Sequence, residues 1–257
     1  MVNRLFAELA ALPEVEAIAL GGSRAGDNYD EKSDYDVYLY CTDEVPEAQR
    51  RAILSRYCER MELGNHFWEL EDNCTLTGGV DIDILYRSLD AFTADVASVV
   101  EGHEARNGYT TCMWHNLLTC RILYDRDGRL AAAKRRFDVP YPEALRTEII
   151  GRNMRLVHTA LPAYDAQIAK AVRRGDRVSV CHRTAAFLES YFDVLFALNR
   201  QTHPGEKRLV QLCRARCAVL PERFEDNLDR LFDYLMTRPE RVGEDLAAIV
   251  GALERIL

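Results

Sequence analysis

The stretch VEAIALGGSRAGDNYDEKSDYDVYLY, residues 15–40, contains the pattern from which the fold can be inferred. An apolar run leads into a glycine pair and a serine, and a second run then alternates aspartates with apolar residues. With the two-residue period of a strand, Asp34 and Asp36 project from one face of the second run. Two neighbouring carboxylates repel each other unless solvent or cations meet them there. The pattern therefore predicts two strands and a divalent-cation site.

The turn between the two predicted strands has the composition of an anion site. Gly21 and Gly22 directly follow the first apolar run, and Ser23 comes next. Glycines let the backbone approach a ligand closely, and the N–H groups of such a turn, with a serine hydroxyl, suit a phosphate. An isolated aspartate pair is more often simply hydrated at a strand end. The adjoining turn favours a nucleotide site here.

A third carboxylate is expected on a neighbouring strand, and GGVDIDILYR at residues 78–87 supplies it. Asp81 and Asp83 share one face of this predicted strand, and the isoleucines share the other. Three carboxylates with two divalent ions would hold a nucleoside triphosphate and activate a hydroxyl for displacement at phosphorus. The residue pattern leaves open whether Asp81 or Asp83 is the third ligand.

Composition excludes several classes of protein. The 257 residues, 48% of them hydrophobic, suffice for one large domain or two modest ones. A net charge of -8 argues against long nucleic acid as the main partner. No stretch approaches the roughly 20 apolar residues of a membrane span. The eight cysteines are dispersed along the chain, which favours reduced thiols and a cytoplasmic location.

The periodicity of apolar residues predicts strands at residues 15–20, 35–40, 66–70 and 80–86, and helices at residues 3–12, 46–61, 89–100 and 130–137. Two prolines in VPYPEAL, residues 139–145, mark a change to a wholly helical pattern. We therefore predict domains at residues 1–138 and 139–257. The second would be a bundle of about five helices with an apolar stripe on residues 187–196.

The motif Gly22-Ser23, ten residues, then Asp34-x-Asp36, followed by a strand with an aspartate between apolar residues, resembles the signature of the DNA polymerase β nucleotidyltransferase superfamily. It is most similar to the bacterial minimal and antibiotic-type nucleotidyltransferases. The resemblance implies an α+β fold, in which an α/β catalytic domain with a mixed sheet precedes a C-terminal helical bundle. The segment FALNRQTHPGEKRL, residues 196–209, is similar to one in uncharacterised members of this group.

The resemblance also implies roles for particular residues. Gly22 and Ser23 would bind the triphosphate of a nucleotide, with ATP favoured. Asp34, Asp36 and Asp83 would hold Mg²⁺ and form the catalytic centre.

Further residues would assist the reaction. The resemblance suggests that Arg24 and Lys207 contact the phosphates. The general base would be either Asp83 itself or Glu104 in the loop EGHEARNG.

The resemblance implies transfer of AMP to a hydroxyl of a small molecule, and the acidic chain suits a cationic acceptor such as an aminoglycoside antibiotic. Three alternatives remain open. In the first, the acceptor is a protein, as for AMP-adding antitoxins. In the second, the chain is a non-catalytic nucleotide-binding module. In the third, the helical half cleaves RNA through Arg152 and His158, which have the spacing seen in helical ribonucleases. The sequence does not indicate the oligomeric state.

Overall fold

The structure is a computed structural model that describes residues 2–26, 33–67 and 69–257, with the backbone alone at Met236. Two compact units are present. The first comprises the residues up to 97 together with 116–139, and the second comprises residues 98–115 and 140–257. Residues 98–115 thus belong to the second unit, whereas the sequence division placed them in the first. Two independently folding domains stay a prediction.

A six-stranded mixed sheet forms the centre of the described part of the first unit. The strands are β1 Val15–Leu20, β2 Tyr35–Cys41, β3 Cys58–Asn65, β4 Leu70–Leu76, β5 Asp81–Arg87 and β6 Arg121–Asp125. Their order across the sheet is β3-β4-β5-β2-β1-β6. The β2–β5 pair is parallel, and the other neighbours are antiparallel. The two strands that carry the aspartates are therefore direct neighbours.

Eleven α-helices lie in the described residues. They are α1 Val2–Ala10, α2 Glu47–Leu54, α3 Leu89–Val100, α4 Cys112–Thr119, α5 Arg129–Phe137, α6 Glu143–Met154, α7 Tyr164–Arg173, α8 Arg177–Leu198, α9 Leu209–Arg216, α10 Phe224–Thr237 and α11 Val242–Glu254. The predicted α+β class is confirmed. Within the described part of the chain, no helix has both the length and the apolar character needed to cross a bilayer.

The hydrophobic core of the first unit determines which way the site residues face. Leu5 and Leu9, one turn apart on α1, are fully buried and pack in one cluster with Val37 and Leu39 of β2. Because side chains alternate along a strand, Asp36 projects from the opposite face of the sheet. The packing of α1 thus directs the acidic face of β2 away from this core.

The second unit has its own apolar core, to which α8 contributes more residues than any other helix. Phe187, Tyr191 and Phe196 of the predicted stripe are almost completely buried there. Every residue at 190–198 is also buried, so this part of α8 is enclosed on all faces and not along one stripe. Residues 140–257, all of which the structure describes, contain six α-helices, one more than the approximate number predicted. The sequence pattern therefore predicted that this unit is helical, and it predicted the number of helices to within one.

Two predicted elements are wrong. The helix expected at residues 46–61 ends at Leu54, and β3 begins at Cys58. The strand expected at residues 66–70 shares only its last residue with β4, Leu70–Leu76, and residue 68 lies outside the described residues. Periodicity does not predict the full length of β4, because its sequence, LEDNCTL, carries polar residues toward both faces of the sheet. The elements α4 and β6 were not predicted.

A buried ion pair joins α2 to the sheet. Arg50, 2% exposed, pairs through Nη1 with Asp72 Oδ1, and the Asp72 side chain is fully buried. Asp72 also accepts hydrogen bonds from the Tyr86 hydroxyl at 2.8 Å and from the Gly64 N–H at 2.9 Å. Arg50 Nε donates to the Val45 carbonyl at 3.1 Å. Each charge is thus paired and hydrogen-bonded, as burial requires.

A second buried carboxylate organises the helical unit. Asp193 on α8 accepts hydrogen bonds from the Thr110 N–H at 3.1 Å, the Thr110 hydroxyl at 2.6 Å and Asn153 Nδ2 at 3.1 Å. The Gly108 N–H donates to Asn153 Oδ1 at 3.0 Å. These bonds attach the loop before α4 to α6 and α8.

The ionisation of Asp193 should make stability depend on pH. Burial raises its pKa to about 7, whereas an unfolded aspartate titrates near about 3.9. Between these two pKa values the folded chain keeps a proton on Asp193 that the unfolded chain has released, so the free energy of unfolding falls as pH rises. Burial lowers the pKa of His115 to about 4 and that of His203 to about 3, which acts in the opposite direction below about pH 6.5.

We therefore expect the stability difference between the wild type and Asp193→Asn to change with pH. Relative to the variant, the wild type should lose on the order of 2–4 kcal/mol of unfolding free energy between about pH 4.5 and pH 8. Urea unfolding at both pH values measures this difference, and both proteins share the opposing histidines. A difference that stays constant across the two pH values would contradict the prediction.

Candidate active site

The parallel pair of β2 and β5 sets two aspartates side by side. Asp36 and Asp83 are register partners, and neighbouring strands lie about 4.8 Å apart. Both residues are half-buried. The flanking Val37 and Ile84 belong to the core on the other face of the sheet. The structure thus brings together two of the three predicted carboxylates on one face.

The glycine turn packs directly on Asp36. The Gly21 N–H donates to the Asp36 carbonyl at 2.8 Å. Gly22 has φ 56° and ψ -149°, a conformation that is essentially restricted to glycine. A Cβ at Gly22 would lie 2.9 Å from Asp36 Cγ and closer still to Oδ2, and one at Gly21 would lie 2.7 Å from the Tyr38 hydroxyl oxygen. Both glycines are therefore required for this close approach.

Ser23 begins a short 3₁₀ turn, Ser23–Ala25, whose Ala25 N–H donates to the Gly21 carbonyl at 3.1 Å. Gly22 and Ser23 are exposed. Among the residues that the structure describes, neither of their N–H groups donates to a backbone carbonyl. The turn therefore presents backbone donors and a hydroxyl beside the Asp36 carboxylate, as an anion site requires.

Arg24 has a structural role in this turn. It is 7% exposed, and its guanidinium lies 3.8 Å from the centre of the Tyr35 ring. Its Nε donates to the Ser33 carbonyl at 2.7 Å. These contacts join the end of the turn to the segment that leads into β2. A contact of Arg24 with phosphate stays a prediction.

Asp34 is exposed and directly precedes β2. Residues 27–32, which complete the ten-residue spacing of the motif, lie outside the described residues. Tyr35 pairs with Ile82, so continuing that register would place Asp34 beside Asp81. Asp81 is exposed and accepts a hydrogen bond from the Thr75 hydroxyl at 2.8 Å. The register with Asp36 therefore favours Asp83 over Asp81 as the third carboxylate.

Two residues of the site were missed in the sequence. Asn73 of β4 is the register partner of Asp83 and donates through Nδ2 to Asp83 Oδ1 at 2.7 Å. Glu71, on the same strand face, is 7% exposed, and its pKa is raised by burial and then by the charge of Asp83. The Thr-Gly-Gly turn at residues 77–79 was the available signal, because it predicts a hairpin that pairs β4 with β5.

The donor set suits a magnesium ion that is shared with a substrate. In the described part of the chain, no three histidine, cysteine or acidic side chains are grouped closely enough to hold a metal ion. Mg²⁺, however, is typically bound by one or two carboxylates together with waters and substrate phosphates. Asp36 and Asp83, register partners next to the Gly22 turn, fit that mode of binding.

The remaining predicted site residues belong to the second unit. Lys207 is exposed and lies in the segment between α8 and α9. Glu104 is exposed and borders a polar cleft of about 620 Å³ that Glu148 and Arg152 also line. Lys207 as a phosphate ligand and Glu104 as a general base stay predictions.

A family model described as a domain of unknown function (DUF4037) matches residues 109–209, less than half of the chain. The chain is similar to a nucleotidyltransferase-like protein from Exiguobacterium sibiricum 255-15, with TM-score 0.44 and 11% identity over 100% of this chain and 74% of that one. It is also similar to an aminoglycoside 6-adenyltransferase from Bacillus subtilis, with TM-score 0.31 and 8% identity over 100% and 87%. No curated protein matches the sequence. Because both TM-scores are below 0.5, function must be inferred from the site.

Proposed function

We propose that the protein is a metal-dependent nucleotidyltransferase that transfers a nucleoside monophosphate, AMP from ATP, to a hydroxyl of a small molecule. One observation carries the proposal: Asp36 and Asp83 are adjacent on parallel strands, and the turn at Gly22 packs against the Asp36 carboxylate. Cation ligands and anion-binding N–H groups are thus adjacent. A metal–triphosphate complex has this combination of charges.

Each part of the site has a role in this reaction. Asp34, Asp36 and Asp83 would hold Mg²⁺, which would neutralise phosphate charge and polarise the phosphorus under attack. Gly22 and Ser23 would bind the triphosphate through backbone N–H groups and the serine hydroxyl. Asp36 and Asp83 are placed by paired strands, and Asn73 already donates to Asp83, so little reorganisation of these two residues is needed.

The reaction breaks a phosphoanhydride bond of ATP and forms a phosphoester bond to the acceptor. The acceptor oxygen forms a bond to the α-phosphorus of ATP, the bond from that phosphorus to pyrophosphate breaks, and pyrophosphate leaves with its electron pair. The hydroxyl proton passes to a carboxylate, which is Asp83 or Glu104 in our proposal. Asp83 has the advantage that its position beside Asp36 is defined.

The charge of the site favours a cationic acceptor. Glu71 and Asp81 add two carboxylates to the face that carries Asp36 and Asp83. This density of negative charge attracts ammonium groups, as on an aminoglycoside, and repels polynucleotides. We propose a cytoplasmic enzyme with a small cationic, antibiotic-like acceptor; transfer to a protein hydroxyl is the alternative outcome of the test below.

The ribonuclease alternative receives no support from the geometry. Arg152 donates through Nε to Asn107 Oδ1 at 2.8 Å, whereas His158 Nδ1 lies 2.5 Å from Asp165 Oδ2. Arg152 borders the cleft of about 620 Å³ with Glu104, and His158 borders a different one of about 300 Å³. The two residues thus border different clefts.

Incubation with ATP labelled at the α-phosphate tests the proposal. With magnesium and a panel of aminoglycosides, lincosamides and cell extract, we expect label on a small molecule and release of pyrophosphate. Label on a protein band would favour the protein-modifying alternative. Magnesium-dependent ATP binding without transfer to any acceptor would favour the non-catalytic module, and no binding at all would contradict the proposed function.

The glycine turn gives a sharp mutational prediction. Gly22→Ala is expected to weaken magnesium-dependent ATP binding at least about 10-fold, because the positive φ alone costs about 1–3 kcal/mol and the new Cβ would collide with Asp36. Gly26→Ala is the matched control, since Gly26 has φ -108° and its added Cβ meets no atom within 4 Å among the residues that the structure describes. Isothermal titration calorimetry measures both affinities. Equal affinities in the two variants would argue against binding of the triphosphate at the Gly22 turn.

A further inference from the structure

We propose that Asn73 positions Asp83 for metal binding and that Asn65 holds Asn73 in place; this inference rests on the function proposed above. Asn73 Nδ2 donates to Asp83 Oδ1 at 2.7 Å, and Asn65 Nδ2 donates to Asn73 Oδ1 at 2.7 Å. The three side chains come from the neighbouring strands β3, β4 and β5. They form one hydrogen-bonded chain across the sheet that ends on the carboxylate beside Asp36.

The chemistry of the three groups fixes the direction of this chain. An ionised carboxylate only accepts hydrogen bonds, so Asn73 must turn its amide nitrogen toward Asp83. Its amide oxygen is then directed toward Asn65, where a second amide nitrogen meets it. Flipping the Asn73 amide would break both bonds at once. Asn65 therefore fixes the orientation in which Asn73 donates to Asp83.

A β-bulge in β3 places Asn65 for this contact. Met61 pairs with Cys74 and Glu62 with Asn73, but the register then shifts so that Asn65 pairs with Glu71. Gly64, inside the bulge, has φ 77°. Without the extra residue Gly64 would occupy the position opposite Glu71, and it has no side chain to donate. The bulge thus turns Asn65 onto the site face, a common function of such irregularities.

The consequence for the metal site is orientational. Asn73 engages Oδ1 of Asp83 and restricts rotation of the carboxylate, which leaves Oδ2 for a cation shared with Asp36. Residues that orient metal ligands in this way typically contribute about 10–100-fold to metal affinity. Asn73 and Asn65 are thus positioning residues, and their effect should be seen in metal binding before catalysis.

The same sheet provides a matched comparison. Two register pairs further along, on the same face of the sheet, Thr75 is the register partner of Asp81 and donates its hydroxyl to Asp81 Oδ1 at 2.8 Å. The contact has the same form as that between Asn73 and Asp83, but Asp81 lies two residues from the partner of Asp36. Removing the Thr75 hydroxyl therefore tests a polar contact of the same kind outside the pair that binds the ion.

The experiment uses Mn²⁺ as the probe and follows its free concentration by electron paramagnetic resonance. The full chain is titrated with Mn²⁺ in the presence of a non-hydrolysable ATP analogue. We expect Asn73→Ala to weaken Mn²⁺ binding about 10-fold or more, Asn65→Ala to weaken it less, and Thr75→Val to leave it within about twofold of the wild type. Circular dichroism and melting temperature confirm that each variant is folded.

The outcomes separate the two proposals. If the wild type binds no Mn²⁺ with the analogue, the proposed function is wrong, and this inference with it. If the wild type binds and Asn73→Ala binds equally well, only the inference is wrong. The double variant of Asn65 and Asn73 should match Asn73→Ala, because Asn65 acts through Asn73. If the losses of Mn²⁺ affinity from the two single changes add in the double variant, the proposed role of Asn65 is wrong. If Asn73→Ala does not fold, the Mn²⁺ affinity of Asn65→Ala decides the inference: wild-type affinity would contradict it.

Discussion

Replacing Asp36 with asparagine is expected to reduce nucleotidyl transfer by about 10³-fold or more while the protein stays folded, because a bound metal ion supplies several kcal/mol to the transition state. Asparagine keeps the shape of the side chain, so the contact with Gly22 and the bond from the Gly21 N–H to the residue 36 carbonyl remain. The negative charge is lost, and one carboxylate oxygen is replaced by an NH₂ group. The initial rate with labelled ATP and magnesium measures the effect.

Two controls make this result specific. Asp43→Asn changes an exposed aspartate beyond the end of β2 and should leave the rate unchanged. Asp83→Asn should match Asp36→Asn, whereas Asp81→Asn should have a much smaller effect, because Asp83 is the register partner of Asp36. Equal rates for Asp36→Asn and the wild type would refute the metal site. A large loss in Asp81→Asn alone would identify Asp81 as the third ligand.

The part of the site predicted from sequence is the part with the clearest periodicity. The alternation in DYDVYLY and VDIDILYR placed the aspartates of β2 and β5 on one face of each strand. The structure adds what alternation cannot supply, namely that the two strands are parallel neighbours with Asp36 opposite Asp83. Strand order depends on contacts between residues far apart in the chain. No local pattern encodes it.

The missed parts of the site lie where polar residues interrupt the apolar pattern. In β4, Asp72 faces the core, and its charge is neutralised by Arg50, which lies more than 20 residues earlier in the chain. The sequence of β4 therefore lacks the alternation of apolar and polar residues that is typical of a half-buried strand. The bulge at Gly64 shifts the phase of β3 within a single strand, which defeats a fixed period of two. Asn65 and Asn73 were therefore invisible to a search based on periodicity, although both follow from the hydrogen bonds of the folded sheet.

The buried ion pair between Arg50 and Asp72 also leads to a prediction about stability. Arg50→Ala is expected to lower the free energy of unfolding by about 3–5 kcal/mol, because it leaves the fully buried Asp72 without its cation. Arg51→Ala is the matched control: its ion pair with Glu47 is about half exposed on both sides, so its loss should cost less than about 1 kcal/mol. Urea unfolding followed by circular dichroism compares the two neighbours on α2.

The origin of this cost can be tested within the same network. If it comes from an orphaned charge, Asp72→Asn combined with Arg50→Met should destabilise less than the sum of the single changes. Asparagine can still accept from the Gly64 N–H, which lies 2.9 Å from the Asp72 carboxylate. The pair also matters for the site, since Asp72 facing the core obliges Asn73, the next residue, to face Asp83. Arg50→Ala should therefore weaken Mn²⁺ binding and also lower the free energy of unfolding. If the loss of unfolding free energy in the double variant equals the sum of the two single losses, lost packing and not the unpaired charge causes the destabilisation.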